Sequence, residues 1–179
     1  MNNLDLQKSR NWKIAVASII AALYAVLVIL LPAISFMAWQ VRIADALLPL
    51  STVLGWPAVL GVTIGCFIGN LAAPWGSWGL VLIDAIGGSI ANFLSSYIAY
   101  KIAYKKTRIW RIIAAFIEVL VVTAIVGTYL TFILTGSIEL GIPLFTIMSG
   151  IFVGSIISIG VIGLTLTEAV VEALLQRKS

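Results

Sequence analysis

The chain has 179 residues, of which 61% are hydrophobic and only 10% are charged. A soluble domain carries about 25% charged residues, so this composition excludes an ordinary water-soluble globular protein. Histidine is absent, which removes imidazole metal sites and the nucleophile pairs that depend on histidine. At this length we expect a single domain over residues 1–179, with no metal site and with the lone Cys66 packed as a small hydrophobe.

The basic residues indicate the orientation of the chain in a membrane. Ten of the eleven Lys and Arg residues lie in three patches, and basic residues that flank membrane spans mark the cytoplasmic side. We therefore expect a multi-pass membrane protein with both termini in the cytoplasm. The +4 net charge then serves orientation, and we expect no nucleic-acid partner. The patches are Lys8, Arg10 and Lys13; Lys101, Lys105, Lys106, Arg108 and Arg111; and Arg177 and Lys178.

Apolar runs predict an all-α membrane protein with about six transmembrane helices. A helix needs about 20 residues to cross the hydrocarbon core. The second and third runs are shorter, so they either cross fully or form a re-entrant hairpin that enters from outside. The sixth run is too long for one crossing, and we expect its end to emerge into the cytoplasm. The predicted spans are 12–31, 41–54, 57–73, 80–100, 109–134 and 143–175.

Polar and aromatic residues collect near the predicted outer face. Short polar groups beside planar aromatic rings are typical of a pocket for a small, flat, hydrogen-bonding solute. The tryptophans also suit the aromatic belt that many membrane proteins carry at the interface, and that alternative stays open. The candidate solute-binding residues are Trp39, Arg42, Asn70, Trp75, Trp78, Asp84, Ser89, Asn92 and Glu139.

Charged residues inside a membrane are usually paired or functional. Arg42 and Asp45 are three residues apart, so we expect them to form a salt bridge on one helix face. Asp84 has two interpretations, a solute ligand or a partner of a base such as Arg42. Asn92 likewise suits either the pocket floor or a hydrogen bond between helices. We expect Glu118 to pair with a base of the mid-chain patch, and Glu168 with Glu172 to form an acidic stripe at the cytoplasmic end.

The first span has alanines at every fourth position, Ala17, Ala21 and Ala25. Such a stripe of small residues lets another helix approach closely in a bilayer.

Four motifs between residues 41 and 92 resemble the QueT family, within the S components of energy-coupling factor (ECF) vitamin transporters. Six spans in about 180 residues, the alanine stripe and an apolar first loop add to this resemblance. The motifs are Val41-Arg42-Ile43-Ala44-Asp45-Ala46-Leu47, Gly55-Trp56-Pro57-Ala58-Val59-Leu60-Gly61, Gly65-Cys66-Phe67-Ile68-Gly69-Asn70 and Asp84-Ala85-Ile86-Gly87-Gly88.

The resemblance implies an S-component bundle that captures a small solute from outside and delivers it inward. Its partners would be a transmembrane T component, which would dock on Ala17, Ala21 and Ala25, and two cytoplasmic ATPases. The chain has no phosphate-binding loop of the form Gly-x-x-x-x-Gly-Lys-Ser/Thr, so ATP would be used by those partners and no cofactor is expected here.

The family resemblance also implies the solute, a queuosine precursor of the 7-deazaguanine type, with another vitamin such as cobalamin as the alternative. The chain departs from the family pattern at one position that bears on the solute. Members of the family often carry a Gly-Glu pair early in the last span, where this chain has Gly154-Ser155. Glu139 in the preceding loop is a possible substitute.

Two other classes of function are alternatives to a transporter subunit. A small oligomeric facilitator or channel would use the glycine-rich third span and the alanine stripe for self-association. The sequence does not support an intramembrane enzyme, because it shows no set of residues suited to catalysis. We therefore expect no enzymatic activity.

Overall fold

The computed structural model describes residues 9–37 and 40–176. These residues are mostly helical, and no strand occurs among them. The elements are α1 (Arg10–Leu30), α2 (Pro32–Ser35), a 3₁₀ helix (Ile43–Leu50), α3 (Ser51–Leu54), α4 (Trp56–Asn70), α5 (Trp78–Ala103), α6 (Arg108–Thr135), α7 (Ile142–Ser155), a π-helical segment (Ile156–Gly163) and α8 (Leu164–Gln176).

Four helical runs are long and apolar enough to cross a bilayer. They are α1, α5, α6 and the continuous run Ile142–Gln176. The predicted all-α membrane protein is thereby confirmed. The remaining apolar segments, Ile43–Leu54 and Trp56–Asn70, are shorter than a regular span, as the sequence predicted.

The spanning helices begin and end where side chains or glycine satisfy free backbone groups. The Ser9 side chain accepts a hydrogen bond from the Trp12 amide at 3.3 Å, and Ser77 accepts one from Leu80 at 3.3 Å. At the end of α6, Gly136 adopts the left-handed φ of 78° that closes a helix without a steric cost. Each cap flanks an apolar run, so the predicted ends of these helices differ from the observed ends by one to three residues.

The turn between α3 and α4 reaches the end of the molecule where α5 terminates. A Cβ added at Gly55 would lie 2.9 Å from the ring of Tyr104, and the adjacent Trp56 packs on the aromatic side chains of α5. At its other end, α4 is bonded to the start of α5 through Asn70 and Asp84. The short α4 thus follows α5 from Asp84 to the mid-chain basic patch. This placement favours a full crossing over a re-entrant hairpin.

The last helical run has 35 residues, about 52 Å at 1.5 Å per residue. This exceeds the roughly 30 Å hydrocarbon core, as the sequence predicted. The π-helical segment within it was not predicted. It packs against the 3₁₀ helix, since a Cβ added at Gly163 would lie 2.9 Å from the Ala46 carbonyl oxygen and 3.0 Å from the Pro49 ring. Two helical segments with irregular hydrogen bonding therefore meet in the interior.

Close backbone packing joins α1 to α4. A Cβ added at Gly65 would lie 2.6 Å from both the Ala21 carbonyl oxygen and the Tyr24 Cβ, and one added at Gly61 would lie 2.9 Å from the Ala17 carbonyl oxygen. Glycines at every fourth position of α4 thus face the alanine stripe of α1. This is the small-residue contact that membrane helices use when apolar burial alone cannot drive association.

The substitution Gly65→Ala tests this packing. We expect it to destabilise the protein by about 1–3 kcal/mol, because the new methyl group has no space between the two backbones. The measurement is thermal unfolding of the detergent-purified protein. The matched control is Gly79→Ala in α5, where an added Cβ meets nothing within 4 Å. Equal unfolding midpoints for the two variants would contradict the close α1–α4 contact.

Candidate functional site

Asp84 is the centre of a polar cluster near the start of α5. Its carboxylate accepts hydrogen bonds from Trp75 Nε1 at 2.7 Å, from the Tyr129 hydroxyl at 2.9 Å and from Asn70 Nδ2 at 3.2 Å. Asn70 also donates to the Asp84 carbonyl oxygen at 3.0 Å. We call Asn70, Trp75, Asp84 and Tyr129 the Asp84 cluster. It contains no base, so the interpretation of Asp84 as a partner of Arg42 is wrong.

A second polar group surrounds a small internal cavity deeper in the protein. This inner cavity has a volume of about 10 Å³, which is at the lower limit for one water molecule. Its lining comes from the segment before the 3₁₀ helix, from that helix, and from α5, α6 and α7. The lining residues are Gln40, Arg42, Asp45, Asn92, Val122, Val126, Ile151 and Ser155.

The charged residues of the inner cavity do not form the expected salt bridge. The Tyr24 hydroxyl donates to Asp45 Oδ1, and Arg42 Nη2 donates to the Ser35 carbonyl oxygen at 3.1 Å. Within residues 9–37 and 40–176, no ion pair joins Arg42 to Asp45. The guanidinium and carboxylate line the same cavity, but other elements hold each of them.

Two polar atoms of the inner cavity residues lack hydrogen-bond partners in the part of the chain that the structure describes. They are Arg42 Nε, a donor, and Gln40 Oε1, an acceptor. Both residues are about 5% exposed. In the Asp84 cluster, Asn70 Oδ1 is likewise buried and unpaired among the described residues. A buried polar atom without a partner costs about 1–3 kcal/mol, so these atoms are suited to hydrogen bonding with a bound solute.

Phe36 connects the two groups. Its ring packs edge-on against Trp75, with the centroids 5.8 Å apart, and the Arg42 guanidinium carbon lies 5.6 Å from its centroid. One aromatic ring thus bridges the Asp84 cluster and the inner cavity, and we call the two groups together the polar region.

The other candidate residues lie elsewhere. Trp78 is 73% exposed at the start of α5, and Glu139 is exposed in the loop before α7. Ser89 donates to the Ala85 carbonyl oxygen of its own helix at 2.6 Å. Trp39 lies outside the described residues. The structure thus brings Asn70, Trp75 and Asp84 into one group and Arg42 and Asn92 into the other.

Asn92 lines the inner cavity and also contacts a neighbouring helix, because its Nδ2 lies 3.5 Å from the Val62 carbonyl oxygen of α4. Both sequence interpretations of this residue therefore have structural counterparts.

The pair Gly154-Ser155 leaves no space for a larger residue at its first position. A Cβ added at Gly154 would collide with the Gln40 carbonyl oxygen, while Ser155 lines the inner cavity.

Sequence reasoning missed Gln40, Tyr24 and Tyr129. The two tyrosines carried a usable signal, since a tyrosine within an apolar span brings a hydroxyl group that needs a partner. Gln40 carried a weaker one, because it borders the Arg42 motif in an otherwise apolar connection.

The expected pairing of Glu118 with the basic patch is wrong. Arg111 instead forms a two-pronged ion pair with Glu168, with Nε–Oε1 at 2.7 Å and Nη2–Oε2 at 2.8 Å. This bond fixes α8 to the start of α6, so Glu168 is not part of a free acidic stripe. Both carboxyl oxygens of Glu118 are buried without a hydrogen-bond partner among the described residues.

No cluster of three metal-binding side chains occurs among the described residues.

The fold and this polar region define a class of protein, an all-helical membrane protein with partly unpaired polar groups in its interior. The comparison with known families is more specific. The model of the QueT transporter family matches residues 14–172. The chain therefore belongs to the QueT transporter family, which is a family of ECF S components. It matches none of the curated proteins and none of the solved structures with which it was compared.

Tyr129→Phe tests the Asp84 cluster. Removing one donor to the carboxylate should lower the free energy of unfolding by about 1–3 kcal/mol, because a hydrogen bond to a charged group is lost. The measurement is thermal unfolding in detergent. Tyr97→Phe is the matched control, since the Tyr97 hydroxyl makes no hydrogen bond in the described part of the chain and its ring packs on Phe93. A variant as stable as wild type would contradict the role of Tyr129.

Proposed function

We propose that this transporter-family protein captures a 7-deazaguanine base, a queuosine precursor, from outside the cell. The observation that carries the proposal is the unpaired donor and acceptor of the inner cavity, Arg42 Nε and Gln40 Oε1. A guanine-like ring presents acceptors and donors on adjacent edges, so one solute can satisfy both protein atoms. Sites of this kind discriminate strongly against solutes that leave their polar groups unpaired.

The predicted topology supports entry from the outer side. The Asp84 cluster lies near the start of α5, at the end opposite the mid-chain basic patch. Because basic residues mark the cytoplasm, we place both termini there and the polar region towards the outside, in a prokaryotic plasma membrane. The inner cavity is far smaller than a nucleobase, so solute entry requires its lining side chains to move apart.

Delivery into the cell is proposed to require partners. A T component and two ATPases would complete the transporter, and ATP would be used by those ATPases. The proposed docking surface is an open apolar groove of about 530 Å³ between α1 and α4. Ala17 and Ala21 line this groove, while Ala25 is buried within the chain and does not.

Solute binding is tested by calorimetry on the purified chain with a 7-deazaguanine base and with cobalamin. We expect saturable binding of the deazaguanine, weakened about 10- to 100-fold in Gln40→Leu, because a buried hydrogen bond to the solute is lost. The control is Gln176→Leu at the exposed end of α8, which should bind like wild type.

Other outcomes have distinct meanings. Binding of cobalamin alone would keep the transporter class and overturn the solute. Flux through vesicles that contain only a stable homo-oligomer of this chain would favour the facilitator alternative. Equal affinities of Gln40→Leu and wild type would remove Gln40 from the binding site.

Docking is tested with Ala17→Leu. The larger side chain fills the groove, so we expect solute binding by the isolated chain to be unchanged and ATP-dependent uptake in the assembled transporter to fall at least tenfold. Ala15→Leu is the matched control, because Ala15 is exposed and about 200° away around α1. Ala21→Leu is a poorer test than the sequence suggested, since the Ala21 side chain is buried whereas that of Ala17 is partly exposed. Normal uptake by Ala17→Leu would contradict this docking surface.

A further inference from the structure

Glu118 is a buried acid that the described contacts leave without a donor. It lies in α6, is 0% exposed, and neither carboxyl oxygen has a hydrogen-bond partner within the described chain. The other two buried acids are paired, Asp84 with three donors and Asp45 with the Tyr24 hydroxyl. Glu118 is therefore the exception among the buried carboxyl groups of the described residues.

Glu118 belongs to the same helix as two residues that line the inner cavity. Val122 and Val126 of α6 line that cavity, and residues four apart lie on one face of a helix. Glu118 therefore sits one turn beyond Val122, about 6 Å along the axis.

The charges of this region do not balance. Arg42 and Asp45 at the cavity offset one another, and Asp84 is bonded by three donors. Glu118 has neither a base nor a donor among the described residues. An unpaired carboxylate in an apolar interior is costly, whereas a carboxylate paired with a cation by hydrogen bonds is tolerated. A solute with a single positive charge would supply the missing partner, and a neutral solute would not.

We propose that Glu118 determines specificity by binding a protonated amine on the solute. This inference rests on the proposed function and narrows it to deazaguanine bases that carry an aminoalkyl substituent. The ring would bind Arg42 and Gln40 in the inner cavity, and the ammonium group would extend past Val122 to Glu118.

The test compares two probes that differ in this substituent, 7-aminomethyl-7-deazaguanine and 7-cyano-7-deazaguanine, by calorimetry on the purified full chain. Wild type should bind the amine about 10- to 100-fold more tightly than the nitrile, as expected for a hydrogen-bonded charge pair. Glu118→Gln keeps the shape of the side chain and removes its charge. It should weaken binding of the amine by the same factor and leave binding of the nitrile unchanged.

Two further variants complete the experiment. Glu172→Gln removes a carboxylate from an exposed position of α8 and should keep the wild-type preference. Glu118→Asp keeps the charge but withdraws it by one methylene, so its preference should lie between those of wild type and Glu118→Gln.

The outcomes separate this inference from the proposed function. Tight binding of both probes with equal affinity, unchanged in Glu118→Gln, would overturn the role of Glu118 and leave the deazaguanine assignment standing. A parallel loss of affinity for both probes in Glu118→Gln would show a structural role and also overturn it. Binding of neither probe to wild type would overturn the deazaguanine assignment and this inference together.

Discussion

The carboxylate of Asp84 holds three helices together where α4 ends and α5 begins. Its hydrogen bonds reach Asn70 at the end of α4, Trp75 in the following loop and Tyr129 in α6. Inside a membrane no bulk water competes for these donors, and an unpaired polar group is costly. The bonds therefore define how α4, α5 and α6 align. They also position Trp75 against Phe36, and through Phe36 the segment that carries Arg42.

The inner cavity differs from the Asp84 carboxylate in that some of its buried polar atoms lack partners. Here Arg42 Nε and Gln40 Oε1 are buried without partners among the described residues, and Glu118 lies one turn beyond the cavity lining in the same condition. A protein that needed only stability would pair such groups or replace them with apolar residues. The Asp84 carboxylate, with its three donors, serves the packing of the helices. The unpaired atoms, Asn70 Oδ1 of the Asp84 cluster among them, are suited to a solute.

Small residues determine how closely the helices around this region approach. The glycines of α4 allow the α1 backbone within contact distance, Gly154 allows the backbone of Gln40 to cross α7, and Gly163 admits the 3₁₀ helix against the π-helical segment. The residues that line the inner cavity are carried by elements packed through these contacts. The alanine stripe therefore packs against α4 and also contributes to the groove that is proposed for docking.

The sequence by itself determined the class of the protein and the positions of its long helices. Hydropathy reports directly which 20-residue segments can lie in hydrocarbon, and caps such as Ser77 and Gly136 border those segments. The motifs between residues 41 and 92 also resembled the family that the chain belongs to. These properties are local, because each depends on a short window of residues.

Only the tertiary structure decided which polar residues meet. The sequence paired Arg42 with Asp45 by their spacing, but Asp45 bonds Tyr24 from 21 residues away and Arg111 bonds Glu168 across 57 residues. It likewise grouped Trp78 and Glu139 with Asp84 by membrane depth, although the two side chains are exposed. Depth follows from hydropathy, whereas contact depends on the rotation of each helix about its axis. That rotation is determined by packing between helices, through glycines and alanines whose partners are distant in the chain.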